Sequence, residues 1–358
     1  MPNPIGGGAT GPGPSSSGHY DLLQAGRGAA SLWVVLFHSV NIYPRSALPV
    51  ALARFQAISG WGWLGVHVFF AISGWCIAER VSKGRSKGES GWHFAVERAL
   101  RIFPTYWAAL FGAIALRIAA VPFNTAHLSE SVPAGWPGWI GCIFLVSPYI
   151  DRPLYLLVSW SLVYELGFYL CASIALVAAR RRIAGSNALF GIGCLLCLPA
   201  WVYHGTPAPW RILDLWPDFF AGVAAWWATR KGAKTSGYLA LALMLAATIA
   251  WPAYGGIGRL TAVGSAWVMA LAWGWDGRIM RTPLMRPLIW VGGISYSLYL
   301  AHVPLISPVE NLLGRWIPSA SNWFIIVWAF AIALALVGGW CLNLFVEMPV
   351  ERWRKRAI

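Results

Sequence analysis

Charge is scarce in this chain. Of its 358 residues only 11% are charged, and acids are the rarer kind, with 13 Asp and Glu against 27 Lys and Arg. With 58% hydrophobic residues and a mean hydropathy of +0.58, the apolar surface exceeds what a water-soluble core can hide. Also missing is any basic stretch leading into an apolar one at the start: residues 1–18, MPNPIGGGATGPGPSSSG, are Gly, Pro and Ser. They read as a disordered cytoplasmic tail and not as a signal peptide. Cysteine is sparse and unpatterned. Cys194 and Cys197 form the only CxxC among six, with no second pair or nearby His, so ordinary packing is favoured over metal or redox work.

What the chain does have is a succession of apolar runs near the ~20 residues needed to cross hydrocarbon. They fall at 24–44, 60–79, 102–121, 155–179, 188–204, 211–229, 237–254, 259–275, 288–308 and 323–346. The expected fold is an all-α polytopic bundle of about ten transmembrane helices occupying 19–350, with a basic cytoplasmic tail at 351–358 and no soluble second domain. The 24 Trp and 12 Tyr suit interfacial belts and bundle packing. A net charge of +14 would suggest nucleic acid in a soluble protein, but here the cations cluster in short loops and report orientation instead. Arg80, Lys83, Arg85, Lys87, Arg98 and Arg101 mark the turn between the second and third runs as cytoplasmic. If Trp136 to Ile150 also crossed, Arg180 to Arg182 and every later basic cluster would change sides. Treated as a re-entrant or interfacial segment, it leaves both termini cytoplasmic.

Ionisable side chains inside apolar runs are costly and are functional candidates for that reason. In LLQAGRGAASLWVVLFH, Arg27 stands near the cytoplasmic end and His38 follows eleven positions on, about 16 Å deeper along a helix. The second run, WGWLGVHVFFAISGWCIAER, supplies His67 and Ser73, with Gly65 and Gly74 suited to close helix packing. Arg98 and Arg101 share a helical face, which suits either a phosphate site or simple anchoring. Glu165 in SWSLVYELGFYL and His302 in GGISYSLYLAHVPLI, the latter with Ser295, Tyr296 and Tyr299, are expected together in the extracytoplasmic half, orienting a hydroxyl-bearing substrate or pairing with each other. Glu347, in FVEMPVERWRKR, is expected to pair with neighbouring arginines.

Taken in order, LLQAGRGAASLWVVLFH, GVHVFFAISGW, RALRIFP, WSLVYELGFY and GGISYSLYLAHVPL resemble the acyltransferase 3 family of integral membrane O-acyltransferases over about residues 22–350. The resemblance implies an enzyme that moves an acyl group, commonly acetyl, from cytoplasmic acyl-CoA to a hydroxyl of a sugar. Cell-surface or exported polysaccharides, or their lipid-linked precursors, are the implied acceptors. It implies His38 as the catalytic residue and Arg27, Arg98 and Arg101 as binders of the CoA donor. Glu165 and His302 join the catalytic set; His67, Ser73 and Tyr296 are candidate substrate contacts. The implied setting is the bacterial inner membrane, with the lipid bilayer, acyl-CoA and a glycan as partners and neither metal nor nucleic acid. Two positions depart from the family pattern: His67 stands where many members carry an acid, and Gln24 where many carry Asp. The competing class is a proton-coupled transporter, since inward His, Glu and Tyr also suit a carrier, although the chain lacks inverted repeats and matched Gly/Pro-broken helices.

Overall fold

A computed structural model describes residues 20–41, 43–86, 88–123, 132–179, 185–202, 213–252, 256–279, 281–313 and 315–357. The expected tail at 1–18 and the arginines at 180–182 lie outside them. The described residues contain no strand. Their helices, in chain order, are α1 (Asp21–Val40), α2 (Val50–Ser59), α3 (Gly65–Ser86), α4 (Gly91–Ala120), α5 (Gly135–Ile143), α6 (Trp160–Ala179), α7 (Gly185–Val202) and α8 (Trp216–Ala228). There follow α9 (Lys234–Ala250), α10 (Gly256–Ala272), α11 (Asp276–Ile279), α12 (Met285–Gly293), α13 (Ser295–Leu313), α14 (Phe324–Leu342) and α15 (Met348–Ala357).

Every expected apolar run carries helix, but not every helix is a span. Among the described residues, 4 helical stretches are long and apolar enough to cross a membrane: Val50–Gly84, Gly91–Phe123, Leu157–Val177 and Phe324–Arg356. A fifth is added if α12 and α13, bent by 77° at Ile294, act as one span. The shortfall from ten has physical causes. Helix α8 has 13 residues and is buried on nearly all sides, as suits an interior helix. Helix α1 has the length but carries Asp21, Arg27 and His38, and these polar groups dilute its hydropathy. Helix α5 is 9 residues long, about 14 Å, too short to cross. It is instead tied to α4, whose Tyr106 hydroxyl donates to the Cys142 carbonyl at 2.6 Å and whose Trp107 indole donates to the Ile143 carbonyl at 2.9 Å.

The outer surface fits a lipid solvent. Leu170, Ile174 and Val177 on α6, and Ile326, Phe330 and Val337 on α14, form exposed apolar stripes at helical spacing. Inside, no hydrophobic gain drives helices together once they are in lipid, so close backbone approach matters more. Two reciprocal glycine contacts provide it. On α3 and α8, a Cβ at Gly74 would fall 1.9 Å from the Phe219 carbonyl oxygen and one at Gly222 would fall 1.8 Å from that of Ala71. On α1 and α12, a Cβ at Gly28 would meet the Leu288 oxygen at 2.0 Å and one at Gly292 the Gln24 oxygen at 1.9 Å. The second crossing fixes α1 against the segment that leads into α13. The start of α1 is pinned as well, because the Asp276 carboxylate accepts from the backbone N–H groups of Asp21 (3.2 Å) and Leu22 (2.9 Å).

Gly28→Val should push α1 and α12 apart. The expected outcome is a loss of at least the ~1–3 kcal/mol typical of overpacking, read as a lower melting temperature in detergent. Gly112→Val, where a Cβ meets nothing within 4 Å, should leave it nearly unchanged.

Candidate active site

Helix α1 carries Arg27 and His38 on one face, since eleven residues at 100° each return almost to the starting direction. The Arg27 end of that face opens on a cavity of about 80 Å³ between α1, α3, α4, α6 and α13. Its polar lining includes Arg27, Ser73, Arg101, Glu165, Tyr169 and Tyr299. Val66, Phe70 and Ser73 reach it from α3 because they recur at helical spacing, while His67 lies on another face.

The carboxylate of Glu165 is held at the cavity wall. Its Oε1 accepts from the Ser73 hydroxyl at 3.3 Å and from the Tyr169 hydroxyl one helical turn on. The two arginines of the cavity are differently placed. Arg27 donates only to the Cys76 sulfur, at 3.6 Å, and Arg101 has no ion pair or hydrogen bond among the described residues. The two guanidiniums face one small cavity together with the Glu165 carboxylate, and Glu165, Glu347 and Glu351 all lie within electrostatic reach of Arg101; Arg27, with no carboxylate partner among the described residues, is the cation best placed to hold an anion there.

Arg98 belongs elsewhere. Its Nη2 donates to Glu97 at 2.9 Å and its guanidinium lies 5.5 Å from the Phe94 ring and 5.8 Å from that of Tyr169. Glu97 is shared with Arg80, at 2.5 Å, and with Arg354 of α15. Arg80 also holds Glu89 at 2.5 Å, so one ionic network locks the turn between α3 and α4 to the C-terminal helix.

At the other end of the shared α1 face, the rings of His38 and His302 meet. His302 Nδ1 lies 2.7 Å from the Tyr299 carbonyl oxygen, so it carries the proton, leaving Nε2 as an acceptor. His38 Nδ1 lies 3.1 Å from the Val34 carbonyl oxygen and 3.2 Å from His302 Nε2. Both neighbours accept, so His38 too is protonated at Nδ1, and its Nε2 lone pair is left for an incoming proton. His302 is fully buried and His38 half-buried. Tyr299 joins the two regions: its hydroxyl, at the cavity, bonds Ser161 Oγ at 2.9 Å and the Val158 carbonyl at 3.1 Å, while its carbonyl orients His302.

The structure corrects several expectations from sequence. Glu165 does not sit with His302; it lines the arginine cavity, and His302 pairs with His38. His67 does not reach the cavity but bonds Asp218 of α8 through Nδ1 at 2.5 Å, with Arg259 of α10 3.8 Å from the same carboxylate. Tyr296 borders the cavity with its hydroxyl committed to the Ile102 carbonyl at 2.8 Å, and the Ser295 hydroxyl bonds the Gly292 carbonyl at 2.8 Å. Glu347 makes no close ion pair with an arginine among the described residues, although it lies within electrostatic reach of Arg101. It accepts from Ser297 at 2.6 Å and Asn343 at 2.9 Å within a π-helical turn, and Glu351 takes the pairs with Arg354 and Lys355. Sequence reasoning passed over Tyr169, Ser161, Asp218 and Arg259. Arg259 had a legible signal as the lone charge of its apolar run, and Asp218 as the acid placed deepest in the run 211–229.

The family model described as an acyltransferase domain matches residues 21–344. A protein of Komagataeibacter xylinus named as a putative membrane-bound transacylase, BcsY, is 26% identical over 315 residues, covering 80% of this chain and 73% of that one. No solved structure matches the chain.

Arg98→Gln and Arg101→Gln should separate. Arg98→Gln breaks a partly buried ionic network and should lower the melting temperature by several degrees, in line with the few kcal/mol lost when one member of a buried pair is removed. Arg101→Gln breaks no hydrogen bond or close ion pair among the described residues, only the longer-range attraction to Glu165, Glu347 and Glu351, and should lower the melting temperature less than Arg98→Gln.

Proposed function

The chain belongs to the acyltransferase 3 family and is a membrane O-acyltransferase, and from that premise we propose that it transfers an acyl group, acetyl being the simplest, from cytoplasmic acyl-CoA to a hydroxyl of a glycan at the cell surface or of its lipid-linked precursor. The observation that carries the proposal is the arrangement of one helix face. Arg27 stands at an anion cavity with Arg101, and His38, about 16 Å along the same face, offers an unprotonated Nε2.

On this reading the phosphates of CoA lie at the Arg27 and Arg101 end, and the extended pantetheine arm brings the thioester toward His38. His38 Nε2 takes the proton of the acceptor hydroxyl as its oxygen attacks the thioester carbonyl. The tetrahedral intermediate then collapses: the C–S bond breaks, the thiolate leaves, and His38 returns the proton to give CoA thiol and the acyl ester. His302 is a positioning residue. Its Nε2 accepts from His38 Nδ1–H and so stabilises the imidazolium that forms, much as a carboxylate does in a hydrolase triad but without adding charge to a buried site. Glu165, held by Ser73 and Tyr169, sits across the cavity and keeps the donor arm's polar groups hydrogen-bonded.

On this reading the protein spans the bacterial inner membrane with both termini in the cytoplasm, and the gathering of Arg80, Arg98 and Arg354 in one ionic network supports that orientation through the positive-inside rule.

His38→Ala should lower transfer from labelled acetyl-CoA in washed membranes by about 10²–10⁴-fold, the contribution of a general base, with the protein still inserted at wild-type abundance. Full activity in such a variant would refute the assignment. Arg101→Gln should raise the apparent KM for acetyl-CoA about tenfold or more, the worth of a charged hydrogen bond of ~1.5–3 kcal/mol, with a smaller change in kcat.

A further inference from the structure

Beyond Tyr299, along the same side of α13, lies a second and larger cavity that the chemistry above does not use. Its volume is about 550 Å³, and its walls come from the second half of α4, the turn before α6, and the second half of α13. Tyr296, Tyr299, Val303, Ser307 and Asn311 follow one another at three- and four-residue steps, so they form one stripe of α13. The first two members line the arginine cavity and the last three line this groove. The two spaces thus follow one another along this stripe, Tyr299 lining the first and Val303, one turn on, the second, and the Tyr299 hydroxyl is bonded to Ser161 and Val158.

The groove is amphiphilic in an ordered way. Apart from Arg117, the wall made by α4 and the turn that follows it is apolar, with Leu116, Ala120 and Phe123. Along α13 it offers the Ser307 hydroxyl and the Asn311 amide. Pro304 and Pro308 lack the N–H that would satisfy the carbonyls of Leu300 and Pro304, leaving further acceptors beside them. At the far end stand Arg117 and Arg315. Arg117 is held in place: its guanidinium lies 4.5 Å from the Tyr155 ring and its Nη2 donates to the Tyr155 carbonyl at 3.2 Å. No acidic side chain lines the groove, and neither arginine has an ion pair among the described residues. Arg117 lies sixteen residues beyond Arg101 on α4, about 24 Å, and so at the opposite end of the bundle from the arginine network. Positive-inside anchoring explains cations at one end only; these two need another reason.

We propose that this groove is the acceptor site and that the acceptor is a lipid-linked sugar bearing a phosphate. This rests on the acyltransferase reading and commits it to one substrate class. The phosphate lies between Arg117 and Arg315, and the lipid chain runs along Leu116, Ala120 and Phe123. The sugar extends past Asn311 and Ser307 toward Tyr299, a distance of about 12 Å from Asn311 to Val303. Donor and acceptor then enter from opposite ends of one α13 stripe and meet beside His302 and His38.

The test is native mass spectrometry of the full-length protein in a neutral detergent, titrated with three probes: a polyprenyl-phosphate sugar, the matching uncharged polyprenol, and phosphatidic acid. The polyprenyl-phosphate sugar should bind at least tenfold more tightly than either of the others. Arg117→Gln with Arg315→Gln should remove that preference, and Ser307→Trp, which fills the groove without touching its charge, should block binding of the same probe. Equal binding of the polyprenol, or undiminished binding by both variants, would overturn the proposal. Equal binding of phosphatidic acid would overturn it too, making the groove a site for bulk phospholipid. Acetyl-CoA titrated into the same wild-type sample reports on the donor reading separately: if it fails to bind while the sugar phosphate still binds through Arg117 and Arg315, the donor assignment fails and the groove assignment stands.

Discussion

An uncompensated charge or polar group between helices in lipid costs several kcal/mol, and that cost organises this protein. Few charges are present, and the structure deals with them in distinct ways. Some are tied into closed networks, as with Arg80, Glu89, Glu97, Arg98 and Arg354 at one end of the bundle, or His67, Asp218 and Arg259 between α3, α8 and α10. Others, Arg27, Arg101 and Glu165, are gathered at a cavity, where water or a ligand can solvate them. Only the second group is free to act on a substrate. Close glycine crossings make the sorting possible, because backbones in near contact leave room elsewhere for cavities without loosening the bundle.

The line between structural and chemical charges falls inside motifs that look uniform in sequence. Arg98 and Arg101 share a helix face, yet their neighbours differ: Glu97 takes a direct ion pair with Arg98, whereas Arg101 stands in the field of Glu165, Glu347 and Glu351 without a hydrogen bond to any of them among the described residues. Similarly, the SYSLYLAH run distributes its groups over different tasks. Ser297 steadies Glu347, Tyr296 bonds α4, Tyr299 faces the cavity with its hydroxyl and His302 with its carbonyl, and His302 meets α1.

This explains how far the sequence could be read. Membrane residence, an all-helical fold, the depth of His38 beyond Arg27, and the presence of polar groups at Glu165 and His302 inside apolar helices were all legible, because they depend on composition and on periodicity within one helix. Partner choice was not. Whether Glu165 meets His302 or Ser73, and whether His67 faces a cavity or Asp218, depends on how neighbouring helices are rotated and staggered. Glu347 shows the same limit locally: a π-helical turn shifts it away from the following arginines, and the shift has no signature in spacing alone. Of the ten expected spans, four or five of the described helical stretches are long and apolar enough to cross by themselves, and hydropathy does not distinguish a helix buried in protein, such as α8, from one facing lipid.

The pairing of two neutral imidazoles also follows from scarcity of charge. A carboxylate in place of His302 would make His38 a stronger base, but it would bury a negative charge beside a ring that is neutral for most of the cycle. His302 supplies a lone pair without that cost, and the Tyr299 carbonyl fixes which nitrogen carries it. In the mechanism proposed above, the imidazolium forms only while the acceptor oxygen is attacking, when the negative charge developing on the thioester carbonyl lies close by. Under that proposal the acidic partner of a hydrolase triad is replaced by a transient one, contributed by the reaction itself. Such a base suits a transfer that leaves no net charge behind, since the thiol departs with the proton that the hydroxyl gave up.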